Sequence, residues 1–390
     1  MDKNILNIIN ENDCTGCGAC VATCPTKALF MDENIYSELH PYVDSNQCIN
    51  CGKCIDNCPV VCQNKNEKIG VVYAAFRTNA EKRKTSASGG IGATLAEMFI
   101  LTWKGSFYST TMSEGYPIVR KCNNLADIEN FKGSFYAQSH MNNAYKDIEN
   151  ELKCGNAVLF IGTPCQVAGL KNYITDEYEK LYTVDLLCHG VSPAKYLAEY
   201  IGFVCKNNLK RQKHTGVSFR SNLPRCDYVF CLWNGKNIVY RVPSLFSLYF
   251  RGFLKGITFR ESCYQCKFKS VHRSGDMSIG DFIGLGKHVY YSDDPTRVSI
   301  ILENTYKGSQ LLDLIYKELK IEERSVDEAL IEGISLKKSF PRTTKHVRFI
   351  QRYPKKGFIK AMLLTDGISF ISDIIKVCVW KGLYILKRKK

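Results

Sequence analysis

The feature that most limits how this chain can fold is a run of cysteines that occurs twice near its N-terminus. The first copy, CTGCGACVATCP, begins at Cys14, and the second, CINCGKCIDNCP, begins at Cys48. Both copies have the spacing CxxCxxCxxxCP, so the second run repeats the four thiols and the proline of the first. Whatever the first run binds is therefore bound a second time within the same short segment.

This spacing is typical of two [4Fe–4S] clusters. In two-cluster ferredoxins of the bacterial type, three closely spaced thiolates surround one cube and the fourth reaches the other cube. Thiolate is a soft ligand that suits iron, and glycines in the runs let backbone amides turn toward sulfur. The predicted ligands of the first cube are Cys14, Cys17, Cys20 and Cys58, and those of the second are Cys48, Cys51, Cys54 and Cys24.

Zinc is the alternative metal for the same cysteines. A zinc site takes four ligands, usually from two separated CxxC pairs. Eight cysteines in a doubled run, with proline after each copy, favour iron instead. Because two neighbouring cubes conduct electrons without being a catalyst, the N-terminal segment predicts an electron-transfer module that serves the rest of the chain.

Composition agrees with redox chemistry. The chain has 390 residues and 19 cysteines, which in an intracellular protein indicate metal or redox chemistry rather than disulfides. We expect a cytoplasmic protein, since the sequence shows neither an apolar leader with a cleavage site nor a long apolar run. The formal charge of +15 favours acidic partners. Nucleic acid is not expected among them, because the aromatic residues are not interleaved with a basic stripe.

The body of the chain alternates short apolar runs with helical stretches. The run VVYAAF at 71–76 predicts a strand, and a Ser- and Gly-rich turn, SASGG, then opens a helix that ends at Gly105. Such a turn lets backbone N–H groups approach a phosphate, and Lys84 lies just upstream. Ser and Gly also mark ordinary loops, so the turn alone is a weak signal.

Two further strand–helix units each carry a cysteine. The first predicts a strand at 157–161 and then a turn with Cys165, and the second ends its strand at Cys188. Ligands bind at the carboxyl edge of the strands in an open α/β sheet, which is where both cysteines are expected.

Four cysteines of the body are candidate ligands of one more cluster, namely Cys165, Cys188, Cys263 and Cys266. Buried structural thiols beside an unrelated CxxC loop are the alternative. Cys165 is also a candidate nucleophile, because Thr163 and the helix N-terminus would lower its pKa. His189 is a candidate proton donor, although a single histidine in a turn more often has a structural role.

Several segments of the body resemble one known family in the order in which they occur. They are SASGG, KGSFYAQS, FIGTPCQVAGL, DLLCHGVSP, SFR, FRESCYQCKFKSVHRSGDMSIGDF and SIILENTYKG. Together they resemble the beta subunits of coenzyme F420-reducing hydrogenase and dehydrogenase over about residues 71–320, and a ferredoxin repeat ahead of this region is common in bacterial members. The resemblance implies an oxidoreductase in which FAD and iron–sulfur clusters exchange electrons with an organic substrate.

The resemblance also implies roles for particular residues. The cysteines of the body would bind a [4Fe–4S] cluster beside the flavin, and Asp276 and Asp281 are expected to position the flavin, the substrate or the loop. Departures from the family pattern at Ile283, Gly284 and Arg297 lie near the expected substrate site and leave the substrate open. The implied flavin-binding residues are Lys84, Ser86, Ser88, Gly89, Gly90 and Thr163.

The expected fold has two domains and a tail. An α+β ferredoxin-like domain (1–65) precedes an α/β flavin-binding domain with a mainly parallel sheet. This second domain has an N-terminal part (70–153) and a C-terminal part (154–330), and the C-terminal part holds the flavin and the inner cluster. The helical tail (331–390) mixes a broad apolar face with basic residues. Packing on the domain is the favoured expectation for the tail, and contact with an anionic membrane surface at the inner face is the alternative.

The expected function is electron transfer to a small molecule. An external ferredoxin or flavodoxin would reduce the N-terminal cubes, and the inner cluster would pass electrons to FAD, which converts one-electron into two-electron chemistry. Bacterial family members suggest a sugar nucleotide, or a related intermediate of surface-polysaccharide synthesis, as substrate. One alternative is a coenzyme F420 oxidoreductase, and another is a non-catalytic electron-transfer subunit of a larger hydrogenase or dehydrogenase.

Overall fold

The computed structural model describes residues 4–63, 67–209, 214–220 and 228–387. The expected domain boundary at residue 65 and the basic residues 388–390 lie outside these ranges. The strands are β1 (Leu29–Glu33), β2 (Leu39–Val43), β3 (Glu67–Lys68), β4 (Val72–Arg77), β5 (Ser106–Ser113), β6 (Tyr116–Cys122), β7 (Val158–Gly162), β8 (Leu181–Leu186), β9 (Gly216–Arg220), β10 (Tyr228–Asn234), β11 (Asn237–Pro243), β12 (His272–Arg273), β13 (Met277–Asp281), β14 (Ser299–Glu303) and β15 (Leu319–Arg324). The helices are α1 (Ala19–Thr23), α2 (Lys53–Asp56), α3 (Ala80–Lys84), α4 (Ile91–Trp103), α5 (Ala144–Lys153), α6 (Pro164–Tyr173), α7 (Ala194–Asn208), α8 (Leu248–Leu254), α9 (Tyr306–Ile315), α10 (Val326–Glu332), α11 (Ile334–Lys337) and α12 (Thr344–Lys387).

The N-terminal domain is built from the two cysteine runs and one hairpin. β1 pairs antiparallel with β2, and each cysteine run opens a short helix directly after a glycine. Gly18 (φ 80°) precedes α1, and Gly52 (φ 78°) precedes α2. Since glycine is the residue that adopts a left-handed backbone without steric cost, the same position of both runs favours it. The repeat in sequence is therefore also a repeat in backbone conformation.

The body is organised around one eight-stranded sheet with the strand order β15-β4-β14-β13-β8-β7-β5-β6. The pairs β13 with β8, β8 with β7 and β7 with β5 are parallel. The pairs β15 with β4, β4 with β14, β14 with β13 and β5 with β6 are antiparallel. The sheet is thus mixed, and the expectation of a mainly parallel sheet is wrong.

The connections explain this mixture. β7 and β8 are joined by α6, which is the helical crossover that a parallel pair needs. β5 and β6 are instead joined by the turn Glu114–Gly115, whose φ angles are both positive (51° and 86°), as in a tight hairpin. β7 and β8 form where the sequence predicts strands, but strand direction is set by the connections between strands.

Helices bury both faces of this sheet. On one face Phe99 of α4 belongs to the same buried cluster as Leu159 of β7. On the other face Val167 of α6 belongs to the same cluster as Phe160, the next residue of β7. Successive residues of a strand point to opposite faces, so β7 is buried on both sides. This central strand fixes the position of Cys165, which follows it.

A second apolar cluster holds the tail helix on the body. The three-stranded sheet β11-β10-β9 packs with α7, α8 and α12. Phe349, Tyr353, Phe358 and Met362 of α12 are buried in this cluster, and the helix is kinked at Gly357 (φ 67°). The first part of the tail therefore packs on the domain, as the favoured expectation has it. Within the described residues, no helix combines the length and the apolar character needed to cross a membrane.

Candidate metal centres

The first predicted ligand set surrounds one cavity. The cavity is lined by Cys14, Cys17, Cys20 and Cys58. The hydroxyl of Thr15, in the same wall, is buried and has no hydrogen-bond partner among the described residues. A [4Fe–4S] cube takes four thiolates, and its sulfides accept hydrogen bonds. The four thiols and the orphaned hydroxyl therefore fit such a cube, with Cys58 contributed by the second run.

Three of these thiols hinder one another's ionisation. Burial raises the pKa of Cys17, and the charge of Cys58 raises it further. Burial also raises the pKa values of Cys20 and Cys58, and Cys17 adds to the rise at Cys20. A bound metal reverses this balance, because a coordinating thiol is deprotonated outright. When bound, a cube would give this site a redox centre that takes one electron at a time.

Cys14 differs from its neighbours because cationic side chains lie beside it. Burial opposes its ionisation, but the hydrogen bond from His40 and the charge of Arg260 lower its pKa overall. The backbone N–H of Gly16 also donates to Cys14 Sγ at 3.4 Å. Donors of this kind are what stabilises a ligating thiolate.

Arg260 ties the N-terminal domain to the body. Its side chain is 1% exposed, and its Nη2 donates to the carbonyl oxygens of Cys14 (2.7 Å) and Leu39 (3.1 Å). Its Nη1 donates to Gln138 Oε1 at 2.5 Å, and Gln138 Nε2 donates to the carbonyl oxygen of Thr15 at 3.0 Å. Sequence reasoning missed this residue, because nothing in its motif, FRESC, shows that its partners come from the N-terminal domain.

The second predicted set lies nearer the surface. Cys54 is buried, Cys24 and Cys48 are partly buried, and Cys51 is exposed. Burial raises the pKa of Cys54, and Cys51 adds to the rise. Burial also opposes ionisation of Cys24, but hydrogen bonds from the Thr26 hydroxyl and from three backbone N–H groups lower its pKa. This environment suits a cluster ligand.

The third set gathers at the carboxyl edge of β7 and β8. Cys165 lies in the first turn of α6 and Cys188 follows β8, whereas Cys263 and Cys266 lie in and just after the 3₁₀ turn Glu261–Gln265. Burial raises the pKa of Cys165 to about 12, to which the charges of Cys266 and Cys188 contribute. Burial likewise raises the pKa of Cys263, and Cys188 and Cys266 add to it. The fold thus brings these four thiols within electrostatic reach of one another.

The first and third sets are direct neighbours. The charge of Cys165 contributes to the raised pKa of Cys17, after burial and Cys58. A Cβ added to Gly169 of α6 would lie 3.3 Å from Cys17 Sγ, so α6 touches the first set. The hydroxyl of Tyr145 donates toward the carbonyl oxygens of Cys17 (3.1 Å) and Gln166 (3.0 Å), which pins α6 to the cysteine run.

The described residues contain no group of three or more His, Cys, Asp or Glu side chains placed to hold a single metal ion. A zinc ion needs four ligands around one atom. A cube does not, because its thiolates bind different irons and so lie further apart.

Two family models match the chain. Residues 13–62 match a 4Fe-4S dicluster domain, and residues 155–329 match the C terminus of the coenzyme F420 hydrogenase/dehydrogenase beta subunit. This beta-subunit match covers 175 of the 390 residues of the chain. The resemblance read from the sequence is confirmed. The dicluster match spans both cysteine runs, and the beta-subunit match spans the third set.

Among solved structures, the chain is similar to a subunit in the F420-reducing [NiFe] hydrogenase complex from Methanosarcina barkeri. The identity is 15%, the similarity covers 77% of this chain and 92% of that chain, and the TM-score is 0.45. No curated protein matches this chain.

The hydroxyls of the SASGG turn, which are expected to hold FAD, form hydrogen bonds inside the chain. Ser86 Oγ donates to the carbonyl oxygen of Lys82 at 2.8 Å, and Ser88 Oγ donates to that of Val298 at 3.2 Å. Gly90, with φ 86°, caps the N-terminus of α4. These contacts hold the turn itself in place.

The remaining contacts of the turn also face the sheet. The N–H of Gly89 donates to Ser299 Oγ at 2.9 Å, and a Cβ on Gly89 would lie 2.5 Å from the carbonyl oxygen of Ala75. Arg297, one of the departures from the family pattern, donates to the carbonyl oxygen of Ser86 at 2.7 Å. Glycine is thus needed here for packing against β4 and β14, and the turn as it stands does not fit an open phosphate cradle. The flavin site remains a prediction.

Two other residues expected at the flavin have local partners. Lys84 forms an exposed ion pair with Glu81 at 2.7 Å. Thr163 caps α6 in a capping box with Gln166, and its hydroxyl lies 3.2 Å from Cys165 Sγ. That hydrogen bond does not outweigh burial, so the pKa of Cys165 is raised. The expectation of a lowered pKa, on which the nucleophile alternative rests, is therefore wrong for the thiol in this structure.

His189 packs in an aromatic pocket. Its ring contacts those of Phe253, Phe259 and Phe340, and Lys269 Nζ donates to its carbonyl oxygen at 2.8 Å. Burial, with the charge of Lys269, lowers the pKa of His189 to about 4. The imidazole is therefore neutral at pH 7, and its role as a proton donor stays a prediction.

The two acids after the CxxC loop have partners within the fold. Asp276 accepts hydrogen bonds from the N–H (2.8 Å) and the hydroxyl (2.6 Å) of Thr183 in β8. Asp281 pairs with Arg220 at 2.5 Å and accepts a hydrogen bond from the Tyr228 hydroxyl at 3.1 Å. Asp276 thus joins β13 to β8, and Asp281 joins the main sheet to the three-stranded sheet.

Proposed function

We propose that this chain is an iron–sulfur electron-transfer subunit in which the N-terminal clusters exchange electrons with an inner cluster of the beta-subunit domain. The observation that carries the proposal is the junction between the first and third thiol sets, where the charge of Cys165 reaches Cys17. α6 supports Cys165 and, through Gly169, touches Cys17 Sγ. Two redox sites so close would exchange electrons directly.

The three sets form an ordered path. The first set lies in the middle, because Cys20 interacts electrostatically with Cys54 of the second set while Cys17 interacts with Cys165 of the third. The second set includes the exposed Cys51. An external ferredoxin or flavodoxin would meet the chain there, and its acidic surface would be attracted by the formal charge of +15.

The proposed domain division follows this path. Residues 1–65 carry the first and second thiol sets. Residues 70–153 and 154–330 together build the main sheet and the third set. Residues 331–390 form the tail. The twelve proposed ligands are Cys14, Cys17, Cys20, Cys24, Cys48, Cys51, Cys54, Cys58, Cys165, Cys188, Cys263 and Cys266.

Iron content tests the third site. Anaerobically purified protein should hold about twelve irons, since each cube holds about four, and Cys165→Ala should lower this to about eight while both N-terminal clusters remain visible by electron paramagnetic resonance. Cys154→Ala is the matched control, because Cys154 is an exposed thiol after α5, and it should keep all the iron. Equal iron in wild type and Cys165→Ala would contradict the third site.

A second candidate function is oxidation or reduction of coenzyme F420, which the description of the matched family favours. A bound flavin would supply the change between one-electron and two-electron transfer. The matched family offers no comparable support for a sugar-nucleotide substrate, which stays a prediction. Extracting the cofactors and assaying the isolated chain separates the candidates. Three clusters without flavin or turnover indicate an electron-transfer subunit, whereas bound FAD with turnover of coenzyme F420 indicates the enzyme.

A further inference from the structure

The second half of α12 leaves a row of apolar side chains uncovered. Leu364, Ile368, Ile371 and Ile375, which we call the apolar stripe, are 59%, 91%, 59% and 56% exposed. Their spacing of four, three and four residues puts them on one face of the helix. Exposed apolar residues normally occur singly, and a continuous row marks an interaction surface.

The acidic residues of the same helix face the other way. Asp366 is 2% exposed and forms ion pairs with Arg251 and Lys345. Asp373 pairs with Arg251 at 2.7 Å. At about 100° per residue, positions 366 and 373 lie roughly opposite the apolar stripe. Both negative charges of α12 are therefore neutralised on the packed side, away from the stripe.

The segment that carries the stripe is strongly basic. From residue 344 to residue 390 the sequence has 12 Lys and Arg against 2 Asp and no Glu, so it contributes +10 of the formal +15. Lys376 and Lys381 follow the stripe along the chain, and KRKK occupies 387–390. An apolar face combined with many cations is the composition of helices that lie in the plane of an anionic bilayer.

We propose that the apolar stripe docks this protein on an anionic lipid surface, with α12 lying among the headgroups. The apolar side chains enter the acyl boundary, and the basic residues of the segment are attracted to the lipid phosphates. A second copy is the less favourable occupant, because pairing two such segments would bring like charges together. The proposal is independent of the electron-transfer function.

Vesicle flotation of the anaerobically purified full chain tests this docking. Vesicles containing phosphatidylglycerol should carry the protein upward, pure phosphatidylcholine vesicles should carry much less, and raised salt should release it. Ile368→Ser with Ile371→Ser should lower the partition coefficient at least about tenfold, because two large apolar side chains no longer enter the bilayer. The matched control is Ile238→Ser with Ile331→Ser, which changes two isoleucines of 44% and 49% exposure away from α12, and it should float like wild type.

A second variant tests the charge without altering the stripe. Lys376→Gln with Lys381→Gln should lower the partition coefficient by roughly fivefold for each lysine. Retained cluster absorption shows that each variant is folded. Equal binding to phosphatidylcholine, or full binding by the Ile368→Ser, Ile371→Ser variant, would overturn the proposal. A protein that does not float at all would also overturn the proposal. The same holds if light scattering shows a dimer that the Ile368→Ser, Ile371→Ser variant dissociates, because the stripe would then bind a second copy.

Discussion

At the scale of single residues, Arg260 joins the N-terminal domain to the body through several buried hydrogen bonds. Its nearest carboxylate, Glu38, is 3.9 Å away. The guanidinium of Arg260 instead donates hydrogen bonds to the carbonyl oxygens of Cys14 and Leu39 and to the amide oxygen of Gln138. Because these acceptors are buried, they need a donor, and a buried acceptor left unpaired costs about 1–3 kcal/mol. Arg260 therefore stabilises the loop of the first thiol set.

Replacing Arg260 by Met should destabilise the folded protein strongly. The substitution removes the donor from two buried carbonyl oxygens and from Gln138, and at about 1–3 kcal/mol for each buried acceptor left unpaired this should cost on the order of 3 kcal/mol or more. Glu38 keeps His40 as a partner at 3.4 Å. Thermal unfolding of the anaerobic protein measures the loss. Arg342→Met is the control, because Arg342 is 48% exposed in its ion pair with Glu261 and should change stability by less than about 1 kcal/mol. Similar melting temperatures for both variants would contradict the role of Arg260.

The sequence predicts individual residues unevenly. The eight N-terminal cysteines could be identified because the ligands of a cube follow one another at fixed short spacings. Arg260 could not, since its partners Cys14 and Gln138 are 246 and 122 positions away. The expected flavin-binding hydroxyls stay a prediction, because a Ser–Gly turn that cradles a phosphate and one that packs on a sheet have the same local sequence.

At the scale of elements, a buried charge cluster helps the apolar cluster of the fold to hold α12 on the body. Arg251 and Lys345 both pair with Asp366 in a site where Arg251 and Asp366 are almost fully buried. Burial opposes ionisation of Asp366, but hydrogen bonds from Lys345 and Arg251 lower its pKa below the ordinary value. The charge of Asp366 therefore favours the folded state, and the outer half of α12 depends on it.

Asp366→Asn should loosen this helix. We expect a loss of roughly 3 kcal/mol, the low end for removing one partner of a buried pair, because Asp373 still pairs with Arg251. Faster amide exchange in residues 358–375 would locate the effect. Glu81→Gln is the control, because Glu81 forms an exposed ion pair, and it should change stability by less than about 1 kcal/mol. If amide exchange in α12 of the Asp366→Asn variant stays as slow as in wild type, Asp366 does not hold this helix in place.

The same carboxylate gives stability a pH dependence of known sign. The pKa of Asp366 is lower in the folded chain than in the unfolded chain, so on acidification the unfolded chain binds the proton first. Its stabilisation is present above the unfolded pKa of about 3.9 and is lost as the pH falls through the folded pKa. Asp366→Asn should therefore lose less stability than wild type below about pH 4, as measured by denaturant unfolding. Parallel pH profiles would contradict this.

Element directions were harder to predict than element positions. β4 and β7 form where apolar runs predict strands, but β14 and β15 flank β4 antiparallel. A run of apolar residues does not reveal which neighbour it will pair with. The turn Glu114–Gly115 is a local signal of reversal, and its Gly is the residue that a tight hairpin favours.

At the scale of the whole molecule, the N-terminal domain and the beta-subunit domain meet where α1 packs on α6. Gly169 makes this approach possible, since a Cβ there would lie 2.7 Å from the Tyr145 hydroxyl, 3.3 Å from Cys17 Sγ and 3.5 Å from Ala19 Cβ. The close approach of the first and third thiol sets therefore requires a residue without a side chain at position 169.

Gly169→Ala should force the two domains apart. Overpacking of this kind costs about 1–3 kcal/mol, and it should weaken the magnetic interaction between the first and third clusters in electron paramagnetic resonance spectra. Gly202→Ala is the matched control, because Gly202 lies in α7 with open space around it, and there alanine should stabilise the helix by up to about 1 kcal/mol. A stabilising Gly169→Ala substitution would show that the junction is looser than described.

The origin of each ligand set also fixes an order of biosynthesis. The first two sets are complete once Cys58 has been made, whereas the third set waits for Cys266, 208 residues later. Its cysteines come from β7–α6, from the end of β8 and from the turn at 261–265, so it exists only when the main sheet has formed. Arg260, which fastens the N-terminal loop, leaves the ribosome just before Cys263 and Cys266. If the thiols bind clusters as proposed, the ligands of the two N-terminal sites are therefore all made before those of the third, and Arg260 can fasten the N-terminal loop only after 260 residues have been synthesised.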